Sequence, residues 1–115
     1  MKLLLAIIQP TKLQAVREAL YREGIERLTV CDSQGYGRQR GRTATYRGIE
    51  YQVNMLRKIC LEIVVNDDFV ERAIETLLRA ARTGSEGNIG DGKVFVLPVD
   101  QVMAVEDDRR GPAAV

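Results

Sequence analysis

A glycine-rich segment near the carboxyl end of the chain has the composition of a phosphate-binding loop. Residues 83–93 read TGSEGNIGDGK, and the four glycines would let backbone N–H groups converge on an anion. Lys93 adds a positive charge at the end of the segment. The order of residues matches neither a Walker A motif nor a dinucleotide fingerprint. Because glycine-rich turns are common, the segment by itself also fits an ordinary loop.

A second segment, residues 35–56, combines glycines with arginines and tyrosines. The charged and aromatic members are Arg38, Arg40, Arg42, Arg47, Tyr36, Tyr46 and Tyr51. Arginine and tyrosine dominate the energetics of protein interfaces, so the segment fits a loop that contacts a partner. A solvated hairpin tip is the alternative, since connectors of this length are either functional or disordered.

No set of residues in the sequence indicates catalysis or a metal site. Histidine is absent, and Cys31 and Cys60 form no Cys-x-x-Cys pair. Two such cysteines supply neither metal-ligand spacing nor a catalytic dyad. We interpret them as small packing residues in a reducing compartment.

The balance of charges argues against direct binding to nucleic acid. The 115-residue chain has 17 Lys plus Arg and 16 Asp plus Glu, and aromatic residues make up 5%. Proteins that bind a phosphate backbone usually carry a clear basic excess. The apolar run in MKLLLAIIQP is too short to span a membrane, and no cleavage site follows it, so we expect a cytoplasmic protein.

The elements that must position these loops follow one pattern that occurs twice. Residues 3–8 predict a strand, and a helix follows with Thr11 as its expected N-cap and Gly24 just after its end. Residues 25–33 predict a second strand. The apolar face of the helix comprises Leu13, Val16, Ala19 and Leu20.

The second half of the chain repeats this order. Residues 57–65 predict a strand, 66–68 are a helix-start cluster, and 93–99 predict the last strand. One face of the strand is predicted to hold Ile59, Leu61, Ile63 and Val65, and the helix stripe is predicted to hold Val70, Ile74, Leu77 and Leu78. The pattern predicts a single α+β domain over 1–115. This is the ferredoxin-like double βαβ arrangement, an antiparallel four-stranded sheet with both helices on one face.

Apolar residues are predicted on both faces of this sheet, although the helices can cover only one. Ile7, Leu28 and Val64 would not all fit beneath two helices. An exposed apolar sheet face of this size usually marks an interface. We therefore expect the chain to form an oligomer.

The two loops together resemble those of a known family. The run GYGRQRGRTATYRGIEY at 35–51 resembles the T-loop signature of the PII signal-transduction family, and TG…GDGKVFVLPV at 83–99 resembles its B-loop and final strand. The similarity also includes AIIQP at 6–10 and ARTG at 81–84. Paired motifs at matching distances are far more specific than either loop alone.

The resemblance implies a homotrimeric regulator of nitrogen metabolism, not an enzyme. Its clefts between subunits would bind ATP or ADP, and 2-oxoglutarate would bind beside MgATP. The T-loop, residues 37–55, would change conformation with occupancy and dock on targets. Such targets include an ammonium transporter, enzymes of nitrogen metabolism or a uridylyltransferase, so the protein would reach a membrane only through a transporter. The B-loop would be residues 83–93 and the C-terminal segment 100–115.

The resemblance also assigns roles residue by residue. The nucleotide-binding positions fall on Ile7, Thr29, Gly35, Gly37, Arg38, Gln39, Val64, Gly90, Asp91, Gly92 and Lys93. Gln39 matches the residue that helps to hold Mg²⁺ and 2-oxoglutarate, and Lys58 the lysine that pairs with the distal carboxylate of that ligand. Tyr51 stands at the position uridylylated in many bacterial members. The alternative for each is packing or solvation, and for Lys58 a lysine at a strand edge.

The chain departs from the family pattern in two of these regions. The B-loop holds extra residues, since the usual TG-x-IGDGK is TGSEGNIGDGK here. Ala104 and Glu106 stand where the family carries an Arg-x-Arg pair that closes on the phosphates, and Arg109 and Arg110 come later. With fewer arginines near the phosphates, we expect a shift of preference from ATP toward ADP.

One alternative function stays open, and two others fit the sequence poorly. The nearest is a divergent PII-like sensor that binds adenine nucleotides but does not respond to 2-oxoglutarate. A small ferredoxin-like enzyme, such as an acyl-phosphate hydrolase, would need an activated water or nucleophile, and the chain has no histidine. An RNA-recognition module would need aromatic residues on its sheet, where Phe95 is nearly the only candidate.

Overall fold

The structure, a computed structural model, describes residues 1–37, 44–46, 49–51 and 54–115. Its elements in chain order are β1 (Lys2–Ile8), α1 (Leu13–Arg22), β2 (Thr29–Gly37), β3 (Ala44–Tyr46), β4 (Ile49–Tyr51), β5 (Asn54–Val65), α2 (Val70–Ala81) and β6 (Gly92–Pro98). Short 3₁₀ turns at Pro10–Lys12 and Asp67–Phe69 lead into the two helices, and another lies at Gly111–Ala114.

The main sheet has the strand order β2-β5-β1-β6, and each neighbouring pair is antiparallel. The two central strands are therefore the first strand of each half, and β2 and β6 lie at the edges. Strands β3 and β4 pair with each other in a separate two-stranded sheet. This topology confirms the predicted ferredoxin-like double βαβ fold.

The hydrophobic core lies between one face of the sheet and the two helices. Side chains alternate across a strand, so every second residue of β1 and β5 faces the helices. The fully or almost fully buried members are Leu4, Ala6, Ile8, Ile59, Leu61, Ile63 and Val65 on the sheet and Val16, Leu20, Ala73 and Leu77 on the helices. Each large apolar side chain buried here stabilises the fold by about 1.5–3 kcal/mol. The four β5 residues predicted to share one face do so, and that face is the buried one.

Two details of the predicted helices are wrong. Thr11 does not cap α1, because Pro10 begins a 3₁₀ turn that contains Thr11 and delays the α-helix to Leu13. Leu78 is 45% exposed, because the buried stripe of α2 is centred on Ala73 and Leu77. The stripe includes Thr76, whose hydroxyl donates a 2.7 Å hydrogen bond to the Arg72 carbonyl and so can be buried.

The segment after α1 also differs from the prediction. Gly24 adopts a positive φ of 82° as expected for a residue that ends a helix, and the Ile25 amide donates to the Leu20 carbonyl. Residues 25–28 then close over the core before β2 begins at Thr29, and Leu28 packs against that core. Leu28 is therefore not on the outer face of the sheet, where Ile7 and Val64 do lie.

Gly92, the first residue of β6, lies directly against the backbone of β1. Its φ is +130°, and a Cβ at this position would lie 1.8 Å from the carbonyl oxygen of Ile7. No side chain can be accommodated at that distance without moving one of the strands. Gly92 therefore fixes how the chain leaves the B-loop and enters the sheet.

We expect Gly92→Ala to lower the free energy of unfolding by at least about 2 kcal/mol, because the methyl group must push β6 away from β1. Gly84→Ala is the matched control: its φ is +65°, but its added Cβ would meet no heavy atom within 4 Å. That control should show only the conformational cost of about 1 kcal/mol. Urea unfolding at fixed chain concentration measures both variants. Equal midpoints would contradict the steric argument.

Candidate functional site

The carboxylate of Asp91 holds the B-loop in a closed turn. It accepts hydrogen bonds from the Thr83 amide at 2.9 Å, the Thr83 hydroxyl at 2.5 Å and the Asn88 amide at 2.8 Å. The Gly87 amide also donates to the Thr83 carbonyl at 3.0 Å. Partial burial acts to raise the pKa of Asp91, but the bonds from Thr83 and Asn88 outweigh it, so the pKa lies below its ordinary value. Asp91 is therefore an ionised anchor of the loop.

The carbonyl of Gly90 ties the loop to the sheet. It accepts a hydrogen bond from the Lys58 ammonium of β5 and a 2.7 Å bond from the Gln9 side chain, which follows β1. Desolvation lowers the pKa of Lys58, and the charge of Asp91 opposes that shift. The half-buried Lys58 thus lies beside the loop, on the same sheet face as Ile7 and Lys93.

The strand register brings one group of the sequence-predicted residues together. Ile7 is the Cα partner of Lys93 on β6 and of Cys60 on β5. We call Ile7, Lys58 and residues 90–93 the loop-end group. Gly35 and Gly37 continue β2 beyond Ser33, the partner of Lys58, and so extend past this group.

Two other predicted residues lie elsewhere. Thr29 is paired with Glu62, and Val64 with Leu3, toward the opposite end of the sheet. The six-residue step from Lys58 to Val64 along β5 corresponds to roughly 20 Å. We call Thr29 and Val64 the far-end group. A single chain does not bring the two groups together.

Three predicted positions fall wholly or partly outside the described residues. Arg38 and Gln39 lie outside the described residues. The backbone of Tyr51 pairs with Ala44 at the end of β4, but its side chain is outside the described part of the chain.

The cavity beside the loop-end group is small. It has a volume of about 170 Å³ and is lined mainly by residues of β1, α2 and β6, including Ile7, Leu77 and Lys93. Sites for small-molecule ligands usually measure about 300–1,000 Å³. Among the described residues, the cavity beside the loop-end group is therefore smaller than a usual small-molecule site.

The described residues lack two other kinds of feature. No helix among them is long and apolar enough to cross a membrane. Within the same ranges, no cluster of three or more His, Cys, Asp or Glu residues is arranged to hold a metal ion.

Comparison with known proteins identifies the family. The family model described as "Nitrogen regulatory protein P-II" matches residues 1–109. The chain is 48% identical to a nitrogen regulatory protein P-II of Azospirillum brasilense and 47% identical to P-II 1 of Escherichia coli K12, each over the full length of both chains. It is 44% identical to the nitrogen regulatory protein GlnK1 of Methanosarcina mazei, over all of this chain and 97% of that one.

The chain belongs to the PII family.

The C-terminal segment of this PII protein forms a turn stabilised by its own charges. The Ala104 amide donates to the Arg109 carbonyl at 2.8 Å, and Asp108 has a positive φ of 61°. The Arg109 guanidinium pairs with Asp107 at 2.6 Å and Glu106 at 2.9 Å. The pKa of Glu106 is lowered, first by a hydrogen bond from its own backbone amide and then by Arg109. Arg109 therefore already has anionic partners within the turn.

Sequence reasoning missed two residues that build the site. Gln9 and Thr83 hold the Gly90 carbonyl and the Asp91 carboxylate, respectively. Their positions in the sequence could have indicated these roles, since Gln9 directly follows β1 and Thr83 directly precedes the first glycine of the B-loop.

We expect Asp91→Asn to loosen the B-loop, because an amide offers one acceptor oxygen and no charge to the Thr83 and Asn88 donors. Protection of these two amides against hydrogen exchange should fall about tenfold. Glu86→Gln, at an exposed carboxylate in the same loop, should leave their protection unchanged.

The contribution of the Asp91 carboxylate to the stability of the B-loop should depend on pH. Because the pKa of Asp91 is lowered in the folded chain, the contribution is fully present above the unfolded pKa of about 4. It is lost as the pH falls through the lower, folded value. Unchanged amide protection in Asp91→Asn at pH 7 would show that the carboxylate does not hold the loop.

Proposed function

We propose that this chain is a PII signal-transduction regulator of nitrogen metabolism that acts as a homotrimer and is not an enzyme. ATP or ADP would bind between subunits, with 2-oxoglutarate beside MgATP. The T-loop, residues 37–55, would transmit occupancy to an ammonium transporter or to enzymes of nitrogen metabolism. Tyr51 would be the site of any uridylylation. Family membership over the full chain supports this regulatory role.

The observation that carries the proposal is the separation of the two residue groups. The loop-end group supplies Lys58, Lys93 and the B-loop backbone, whereas Thr29 and Val64 lie roughly 13 Å and roughly 20 Å, respectively, from Lys58 along the same sheet. A ligand that uses both groups must lie where the loop end of one copy meets the far end of another. Subunit clefts satisfy this requirement.

The outer face of the sheet supports assembly. Phe95 is 50% exposed and Leu97 39% exposed, and they pair in register with Leu5 and Leu3 of β1. The two β1 side chains alternate with buried Leu4 and therefore face away from the helices. A contiguous apolar face of this kind is typical of an interface between copies.

The loop-end group also fits 2-oxoglutarate. Lys58 is a partly buried cation whose described partner is a neutral carbonyl oxygen, so a carboxylate would be a better acceptor for its charge. Gln39 would complete this part of the site by holding Mg²⁺ and the ligand.

A nucleotide sensor that does not respond to 2-oxoglutarate is the second candidate, and the C-terminal turn favours it. Ala104 and Glu106 occupy the positions of the family's arginine pair, and Arg109 is engaged by Glu106 and Asp107. The electrostatic potential near the outer phosphates would then be less positive, which would weaken the binding of ATP more than that of ADP. In a regulator that binds 2-oxoglutarate beside MgATP, weaker binding of ATP would also weaken the binding of 2-oxoglutarate.

The assembly can be tested by light scattering. The purified protein should have about three times the chain mass of 12.9 kDa at micromolar concentration. Phe95→Asp should shift it toward monomer, because a charge would be buried in the interface. Tyr21→Asp, at a 65% exposed residue of α1, should leave the mass unchanged. A monomeric wild-type protein would contradict a site shared between subunits.

The diacid site can be tested by calorimetric titration of 2-oxoglutarate in saturating MgATP. Lys58→Met keeps most of the aliphatic stem but removes the charge. It should lower the affinity for 2-oxoglutarate at least about 30-fold. ADP binding should change little. Lys2→Met, on β1 at the other end of the sheet, is the matched control.

Two results would point elsewhere. A wild-type protein that binds ADP but ignores 2-oxoglutarate would favour the nucleotide sensor. Loss of ADP together with 2-oxoglutarate in Lys58→Met would mean that Lys58 acts by holding the B-loop through Gly90.

A further inference from the structure

Cys31 and Cys60 lie directly opposite each other on neighbouring strands. The antiparallel register of β2 and β5 makes them Cα partners, and both are free, half-buried thiols. Residues opposed in this way project from the same face of a sheet. Cys60 alternates with buried Ile59 and Leu61, so the two thiols share the outer face.

The spacing of opposed residues permits a bridge between these cysteines. Directly opposed Cα atoms in antiparallel pairs lie about 4.5–5.5 Å apart, within the range of about 4.4–6.8 Å seen in disulfides. Opposed Cβ atoms lie about 4.5–5.5 Å apart, whereas disulfides prefer about 3.5–4.5 Å. A bridge would therefore need a slight local approach of the strands. Such a bond is strained and readily reduced.

The surroundings of the two thiols differ. Desolvation raises the pKa of Cys60, and the neighbouring Glu62 and Cys31 raise it further, so its thiol stays protonated near neutral pH. Cys31 lies on β2, which is an edge strand of the main sheet, whereas Cys60 lies on the central strand β5. Its sulfur makes a weak 3.9 Å contact with the Glu62 carboxylate. The edge position favours Cys31 as the sulfur that reacts first.

A metal is a poor fit for this pair. Within the described residues no cluster of three or more His, Cys, Asp or Glu residues can hold a metal ion, so two thiols would have to do so largely alone. Exchange with another disulfide needs only these two sulfurs.

We propose that Cys31 and Cys60 form a reversible modification site, in which low-molecular-weight disulfides such as oxidised glutathione convert the pair to a cross-strand disulfide that changes nucleotide affinity. The Cys31 thiolate attacks one glutathione sulfur, the S–S bond breaks, and one glutathione thiolate leaves and is protonated. Cys60 then loses its proton and attacks the Cys31 sulfur, displacing the second glutathione. The two cysteines are oxidised to one disulfide, and oxidised glutathione is reduced to two thiols.

The position of the pair provides the link to nucleotide binding. On the outer face of β5, Cys60 lies between Lys58 of the loop-end group and Val64 of the far-end group, and Cys31 is two residues from Thr29. A bond at this point would draw β2 toward β5 between the two parts of the proposed ligand surface. This regulatory consequence rests on the proposed function, whereas formation of the disulfide does not.

The chemistry can be tested on the full-length wild-type chain. After reduction and incubation with oxidised glutathione, intact-mass measurement should show the loss of two hydrogen atoms and no bound glutathione. Iodoacetamide should no longer label either cysteine, and dithiothreitol should restore both. Cys60→Ser should stop at a glutathione adduct on Cys31, because the second sulfur is missing. Cys31→Ser should react more slowly than Cys60→Ser.

Two results would overturn the modification site. One is a wild-type chain that accumulates glutathione on either cysteine without closing the bridge. The other is a disulfide that links separate chains on a non-reducing gel.

The regulatory part needs a separate measurement. ADP affinity should differ about fivefold or more between the oxidised and reduced wild-type protein. A variant with Cys31→Ser and Cys60→Ser, treated identically, should show no difference. Equal ADP affinity of the two wild-type forms would overturn the regulatory part and leave the disulfide standing. Absence of ADP binding in the reduced protein would contradict the proposed function itself.

Discussion

The alternation of side chains along β5 divides this protein into a packing face and a face that remains available for ligands. Ile59, Leu61 and Ile63 are buried against the helices, so Lys58, Cys60, Glu62 and Val64 must face the other way. A shift of one residue in register would exchange the two sets and place a lysine and a glutamate in the core. The apolar face that holds the domain together therefore also fixes where every polar group of the outer face is found.

The B-loop shows how a glycine-rich segment can have a defined shape without a core of its own. Asp91 accepts hydrogen bonds from Thr83 and Asn88 within the loop, while Lys58 of β5 and Gln9, directly after β1, donate to the Gly90 carbonyl. Hydrogen bonds to charged groups are about twice as strong as neutral ones, which compensates for the missing apolar contacts. Polar residues of the sheet thus perform the positioning that buried side chains perform elsewhere in the fold.

Hydrophobic periodicity was enough to predict the βαβ repeat, because it reports which face of each element is buried. It could not distinguish Leu28 in a covering loop from Leu28 in a strand, since both environments are apolar. It also overlooked Thr76, whose burial depends on a hydrogen bond within α2. The opposition of Cys31 and Cys60 follows from strand register, and two positions so distant in sequence carry no local signal of it. The residue roles taken from family resemblance, including those of Arg38 and Gln39, remain predictions.

The close approach at Gly92 has a consequence for how this sequence can diverge. The atom that a Cβ would meet is the carbonyl oxygen of Ile7, which belongs to the backbone and is present whatever residue stands there. A second substitution at position 7 therefore cannot relieve a first one at position 92. Every other encoded amino acid adds a Cβ, so position 92 is closed to neutral drift irrespective of side-chain chemistry. In directed evolution, it should be held constant while the neighbouring B-loop positions are varied.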